Sequence, residues 1–153
     1  MKRLLSVIGL MTLLVLMAPI ASTAAPKTPT IKLLNPPPKN KPFELAVGES
    51  VTFDILVKSD EPFVSAIALT NQYYPGRGIY WHGGDQASQA TEAVLHLTMT
   101  GKGSTADLFS VCDWPEPGYC WPEGVAPVAI AVGVRYPGEE TYSEQFPFSV
   151  VVP

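Results

Sequence analysis

The side chains best equipped for recognition or chemistry fall in two short segments of the 153-residue chain. Residues 71–85 place Tyr73, Tyr74, Arg77, Tyr80, Trp81 and His82 among four glycines, and residues 112–123 place Trp114, Tyr119 and Trp121 among prolines and both cysteines. Together they hold all three tryptophans and four of the six tyrosines. Aromatic bodies with polar tips, carried on loops stiffened by glycine and proline, give large contact area for little entropy loss. That is why such rings recur at protein interfaces and on sugar-binding faces. The alternative is that the rings cap one end of the fold and pack on one another, and composition leaves both open.

Arg77 sits between Gly76 and Gly78. Its planar fork suits a carboxylate or a ring face better than a lysine would, and an ion pair with Asp85, Asp113 or Glu116 is the employment expected. His82 and His96 are the two histidines. Met99 lies three residues from His96 and so faces the other side of a strand, and the close Cys, His and Met spacing of exported copper proteins is missing. No metal and no other cofactor is expected. No serine stands in a Gly-x-Ser-x-Gly elbow, there is no HExxH, and the carboxylates are scattered. These absences favour a non-catalytic protein that binds or assembles. Its partner is expected to be another exported protein, with a glycan or cell-wall ligand on the loop aromatics, or a metal or redox accessory role for His82 and His96, as alternatives.

Lys2 and Arg3 precede an apolar run from Leu4 to Ala18, Pro19 interrupts it, and Ser22-Thr23-Ala24 supplies small residues. This is the pattern of a secretory signal peptide over residues 1–24. Cleavage after Ala25 would leave Pro26 directly beyond the scissile bond, so cleavage after Ala24 is preferred. The mature chain is then expected to be periplasmic or secreted, with no membrane span of about 20 apolar residues left in it. Without Lys2 and Arg3 the chain carries eight basic and fourteen acidic residues, a net charge of −6, with no basic cluster. Nucleic acid is therefore not expected as a partner, because phosphate binding needs a concentrated basic face. Cys112 and Cys120 are expected to form a structural disulfide in the oxidising compartment, their spacing being unlike that of a redox-active pair.

Positioning these residues falls to strands. Residues 25–42 are a proline-rich arm, extended, with one short strand at Thr30 to Leu34. Beyond it the hydrophobic period is two. Val51, Phe53, Ile55 and Val57 mark one face; Phe63 to Leu69 is a more fully apolar strand; Ala93, Leu95, Leu97 and Met99 mark another face; Asp107 to Cys112 is a shorter candidate. Val128, Ile130, Val132 and Val134 share a face, and the turn Tyr136-Pro137-Gly138-Glu139 leads into Phe146, Phe148, Val150 and Val152, which predicts a long C-terminal hairpin. The prolines and the absence of any period near four exclude long helices.

Two segments, Phe43 to Phe53 with its Gly48-Glu49-Ser50 turn and the closing Phe148-Ser149-Val150-Val151-Val152, resemble the immunoglobulin-like domains of bacterial exported proteins. The resemblance implies an all-β fold, an antiparallel immunoglobulin-like β-sandwich of about seven to eight strands over residues 43–153. The chain departs from antibody domains in having both cysteines within one loop. Pro147 and the proline arm are expected to guard sheet edges.

Overall fold

The computed structural model describes residues 28–153 apart from 40, 85 and 139. The expected signal peptide, the first residues of the arm, and Asp85 lie outside the described residues. No helix occurs among them; the chain is all β. Eleven strands follow in order: β1 (Thr30–Leu33), β2 (Phe43–Glu44), β3 (Ser50–Phe63), β4 (Ser65–Gln72), β5 (Ile79–Gly83), β6 (Gln86–Ala87), β7 (Ala90–Gly101), β8 (Val111–Cys112), β9 (Cys120–Trp121), β10 (Ala126–Arg135) and β11 (Thr141–Val151). Seven have four residues or more, while β2, β6, β8 and β9 are two-residue pieces. One sheet has the order β1-β3-β7-β5, a second β2-β11-β10-β4-β6, and β8 pairs β9 by itself. The arrangement is not wholly antiparallel as expected, because β2 runs parallel to β11 at Val150 and Val151.

Alternation dictates which residues enter the core. Along β3 Phe53, Ile55 and Val57 are fully buried while their neighbours are not, and Leu95, Leu97 and Met99 of β7 face them across the same ladder. On the second sheet Val128, Ile130, Val132 and Val134 are buried to 1% exposure or less. The two sheets meet through rings: Phe53 of β3 touches Phe148 of β11 at 5.5 Å between centroids, and Trp81 of β5 touches both. The long C-terminal hairpin forms as expected, from Arg135 opposite Thr141 to Ala126 opposite Val150.

Two expected boundaries shift for local reasons. Phe63 ends β3 instead of opening the next strand; the chain changes sheets at Val64, whose N–H donates to the Arg135 carbonyl at 2.7 Å. The strand expected over residues 107–112 shrinks to Val111–Cys112, because the Leu108 N–H turns back onto the Thr105 carbonyl.

The proline arm is stitched down before its prolines begin. The Leu34 N–H donates to the Asp54 carbonyl, the Asn35 Nδ2 donates to the Thr52 carbonyl at 2.6 Å, and the Asn35 Oδ1 accepts the Asp54 N–H at 2.8 Å. Asn35 thus bonds β3 as one more strand residue would. Pro36, Pro37 and Pro38 cannot continue that ladder, having no N–H. Pairing resumes at Phe43, now against β11 in the other sheet.

Candidate functional site

The gap left by that change of sheets is a cleft of about 660 Å³, within the usual range for a ligand site. One wall is the arm, with Pro36, Pro37, Pro38, Lys39, Lys41 and Pro42. The second is β11 from Gln145 to Ser149, and the third is Tyr119, Trp121 and Pro122 from the β8–β9 hairpin. The cleft opens because Pro42 has no N–H for the ladder and holds Lys41 extended, so β2 reaches β11 only at Val150 and Val151.

β11 presents an open edge here. The Val151 carbonyl accepts the Leu45 N–H, so it faces the β2 side. Alternate residues of a strand share a hydrogen-bonding side, and the register with β10 has no bulge. Ser143, Gln145 and Pro147 therefore turn their backbone groups the same way, where no strand pairs with them among the described residues. Pro147 stands where an outward N–H would be. It guards the edge as expected, and both it and the half-buried Phe146 face the cleft.

The aromatic wall is built by the smallest sheet. Cys112 and Cys120 are directly opposed and joined by a disulfide, with Cα atoms 4.1 Å apart. The loop between them is closed by Asp113, whose N–H donates to the Tyr119 carbonyl at 2.7 Å and whose Oδ1 accepts the Gly118 N–H at 2.9 Å. Asp113 has φ 58° and Gly118 φ 92°, left-handed conformations that aspartate tolerates and glycine favours. Tyr119 and Trp121, two residues apart on one face, stack with centroids 5.7 Å apart and planes 14° from parallel. The Trp121 Nε1 is spent on the Trp114 carbonyl at 2.6 Å, so the indole offers its face and not its N–H.

The two aromatic segments meet, but only in part. Tyr73 packs edge-on against both Tyr74 and Trp114, at 5.0 and 5.9 Å, and the Tyr74 hydroxyl donates to the Phe109 carbonyl at 2.8 Å. Phe109 itself is 76% exposed beside them. Tyr73, Tyr74, Trp114, Tyr119 and Trp121 thus form a connected chain of contacts running to the cleft. Tyr80, Trp81 and His82 do not join it, because residues 79–83 are strand β5 rather than loop. Trp81 turns inward against Phe53 and Phe148 and donates its Nε1 to the Gln72 Oε1 at 3.1 Å; it is half-buried and packs on the core. Tyr80 and His82 point outward from the first sheet and stack on each other at 6.0 Å. Arg77 is exposed at the turn after β4, and among the described residues no carboxylate pairs with it, neither Asp113 nor Glu116.

The outer face of the first sheet is a row of satisfied polar groups. Ser50 bonds Thr100, Thr52 bonds Thr98, the His82 Nε2 lies 3.1 Å from the Thr100 Oγ1, and the His96 Nδ1 lies 2.7 Å from the Asp54 Oδ1. The two histidines face different partners, and among the described residues no three of His, Cys, Asp and Glu gather as a metal would need. Among the described residues, partial burial and then the nearby Glu144 carboxylate raise the Tyr142 phenol above the usual tyrosine range. Tyr142 does not line the cleft. Among the described residues no helix is long and apolar enough to cross a membrane.

The comparisons with known proteins add little. No family model matches the sequence, and no curated protein does. Among solved structures the chain is similar to AvmM, described as catalysing macrocyclization in alchivemycin A biosynthesis, with 13% identity over 82% of this chain and 88% of that one and a TM-score of 0.32. A score of that size carries no inference about fold or activity.

The cleft residues that sequence reading missed as a site are Lys39, Lys41, Gln145, Phe146 and Phe148. The arm and Pro147 are legible as edge guards, but nothing in their spacing brings them beside Tyr119 and Trp121.

Proposed function

We propose that the protein is an exported, non-catalytic binding module that holds a segment of another exported protein in the cleft between the proline arm, the β8–β9 hairpin and the β11 edge. One observation carries the reading: Tyr119 and Trp121, stacked on each other, line the same cleft as the open edge of β11. Ring faces and an unpaired strand edge are both features by which extended peptide segments are recognised. The disulfide Cys112–Cys120 and the leader-like pattern of residues 1–24 support export.

An immunoglobulin-like architecture belongs to the same proposal. The orders β1-β3-β7-β5 and β11-β10-β4 follow the ABED and GFC sheets of that fold, with β2 an added first-strand segment on the edge. The fold itself implies no particular ligand.

Affinity capture from the native exported fraction, with the wild-type mature chain and with Trp121→Ala, tests the reading. A protein captured by the wild type and lost with the variant supports it. An unchanged set of captured proteins, or retention of a cell-wall glycan in place of any protein, contradicts it.

A further inference from the structure

Resting on the reading of the cleft as a peptide site, we infer that its occupant is an acidic, extended segment of the polyproline type. The first observation is charge. The described chain from Thr28 onward is rich in carboxylates, yet the cleft's lining includes Lys39 and Lys41 and not one Asp or Glu. Neither lysine pairs with a described carboxylate, and both are exposed. Two ammonium groups with no carboxylate partner among the described residues, beside an apolar lining, attract carboxylates and repel a basic chain, which sets specificity and encounter rate more than raw affinity.

The second observation is the poverty of backbone donors. Pro36, Pro37, Pro38 and Pro42 on one wall and Pro147 on the other have no N–H, and the Trp121 Nε1 is bonded to the Trp114 carbonyl. An incoming β-strand needs an unbroken ladder of alternating donors and acceptors; the prolines of the arm supply none, and on the open β11 edge Pro147 breaks the ladder just beyond Gln145. A polyproline-type segment needs no ladder, loses little entropy on binding, and docks its rings on aromatic faces. The parallel Tyr119 and Trp121 rings supply those faces. Carboxylates between the prolines then reach the lysines.

The test uses the full mature chain and three synthetic ten-residue peptides, alternating proline with glutamate, with glutamine or with lysine, titrated at low and at high salt. The glutamate peptide is expected to bind at least about tenfold more tightly than the lysine peptide at low salt, with the advantage shrinking as salt screens it. The charge reversal Lys39→Glu with Lys41→Glu, at exposed positions that should leave the melting temperature unchanged, is expected to invert the preference. Equal affinity for the three peptides, no binding of any, or a preference unmoved by the reversal overturns the inference. If Trp121→Ala still abolishes capture of a native partner while the peptides show no charge preference, the cleft reading stands and only the ligand class fails. If Trp121→Ala leaves capture intact, the cleft reading has itself failed.

Discussion

The Trp121 Nε1 donates to the carbonyl oxygen of Trp114 at 2.6 Å, and this bond decides how the hairpin can be used. It ties the indole edge to its own loop, while the ring stacks on Tyr119 and the side chain lines the cleft. A half-buried tryptophan bonded and stacked in this way is positioned before any partner arrives, which limits the ordering cost of binding.

Trp121→Phe keeps a ring but loses the donor. The expected cost in stability is about 0.5–1.5 kcal/mol, the value of one hydrogen bond, read as a small fall in melting temperature. Trp121→Ala is expected to add a binding loss above about 2 kcal/mol, as a central anchor does, measured by titration of the captured partner. A stability loss with unchanged affinity would show the ring to be packing only.

Trp81 should behave oppositely. Its contacts are Phe53, Phe148 and the Gln72 side chain in the core, so Trp81→Ala is expected to cost about 3–5 kcal/mol of stability. Denaturant unfolding checks this, and the fraction that stays folded should bind as wild type does. Sequence reading grouped Trp81 with the recognition residues because alternation within the short β5 is masked by flanking glycines and rings. By contrast the faces of β3, β7 and β10 were legible, since Phe53, Leu97 and Ile130 each sit in a period-two run long enough to declare itself. The cleft was not legible for a different reason. Lys41, Trp121 and Pro147 come together only after the arm crosses from β3 to β11, and no local pattern encodes that crossing.

Asn35 is the pin from which the arm departs, with one bond given to Thr52 and one taken from Asp54. Asn35→Ala is expected to cost about 1 kcal/mol from two exposed hydrogen bonds. It should also raise amide exchange at Leu34 and through the arm while β10 stays protected. Uniform loss of protection would place Asn35 in the global unfolding unit instead.

The disulfide closes a small loop, for which chain entropy gives at most roughly 2.5 kcal/mol. Cys112→Ser with Cys120→Ser is therefore expected to leave a folded β protein by circular dichroism. The stacked Tyr119–Trp121 pair should loosen, seen as a loss of near-ultraviolet signal, and partner binding should weaken by at least tenfold. Full unfolding would mean that the hairpin supports the core and does not merely shape the cleft.

Gly101 lies where the β2–β3 connection crosses β7. A Cβ there would meet the Ala46 carbonyl oxygen, and the Gly48 N–H donates to the Gly101 carbonyl at 2.8 Å. Gly101→Ala is expected to destabilise by about 1–3 kcal/mol through overpacking, measured by thermal melting. A neutral effect would show that the 45–49 segment yields.

The most direct measurement of whether the cleft is the binding site is photo-crosslinking in the native exported fraction. A photoreactive residue is placed either at Gln145, on the open edge of β11 inside the cleft, or at Val94, 42% exposed on the outer face of the first sheet. Crosslinking of one discrete partner from position 145 and none from position 94 is the expected result. A partner crosslinked from position 94 alone, or equally from both, would contradict it.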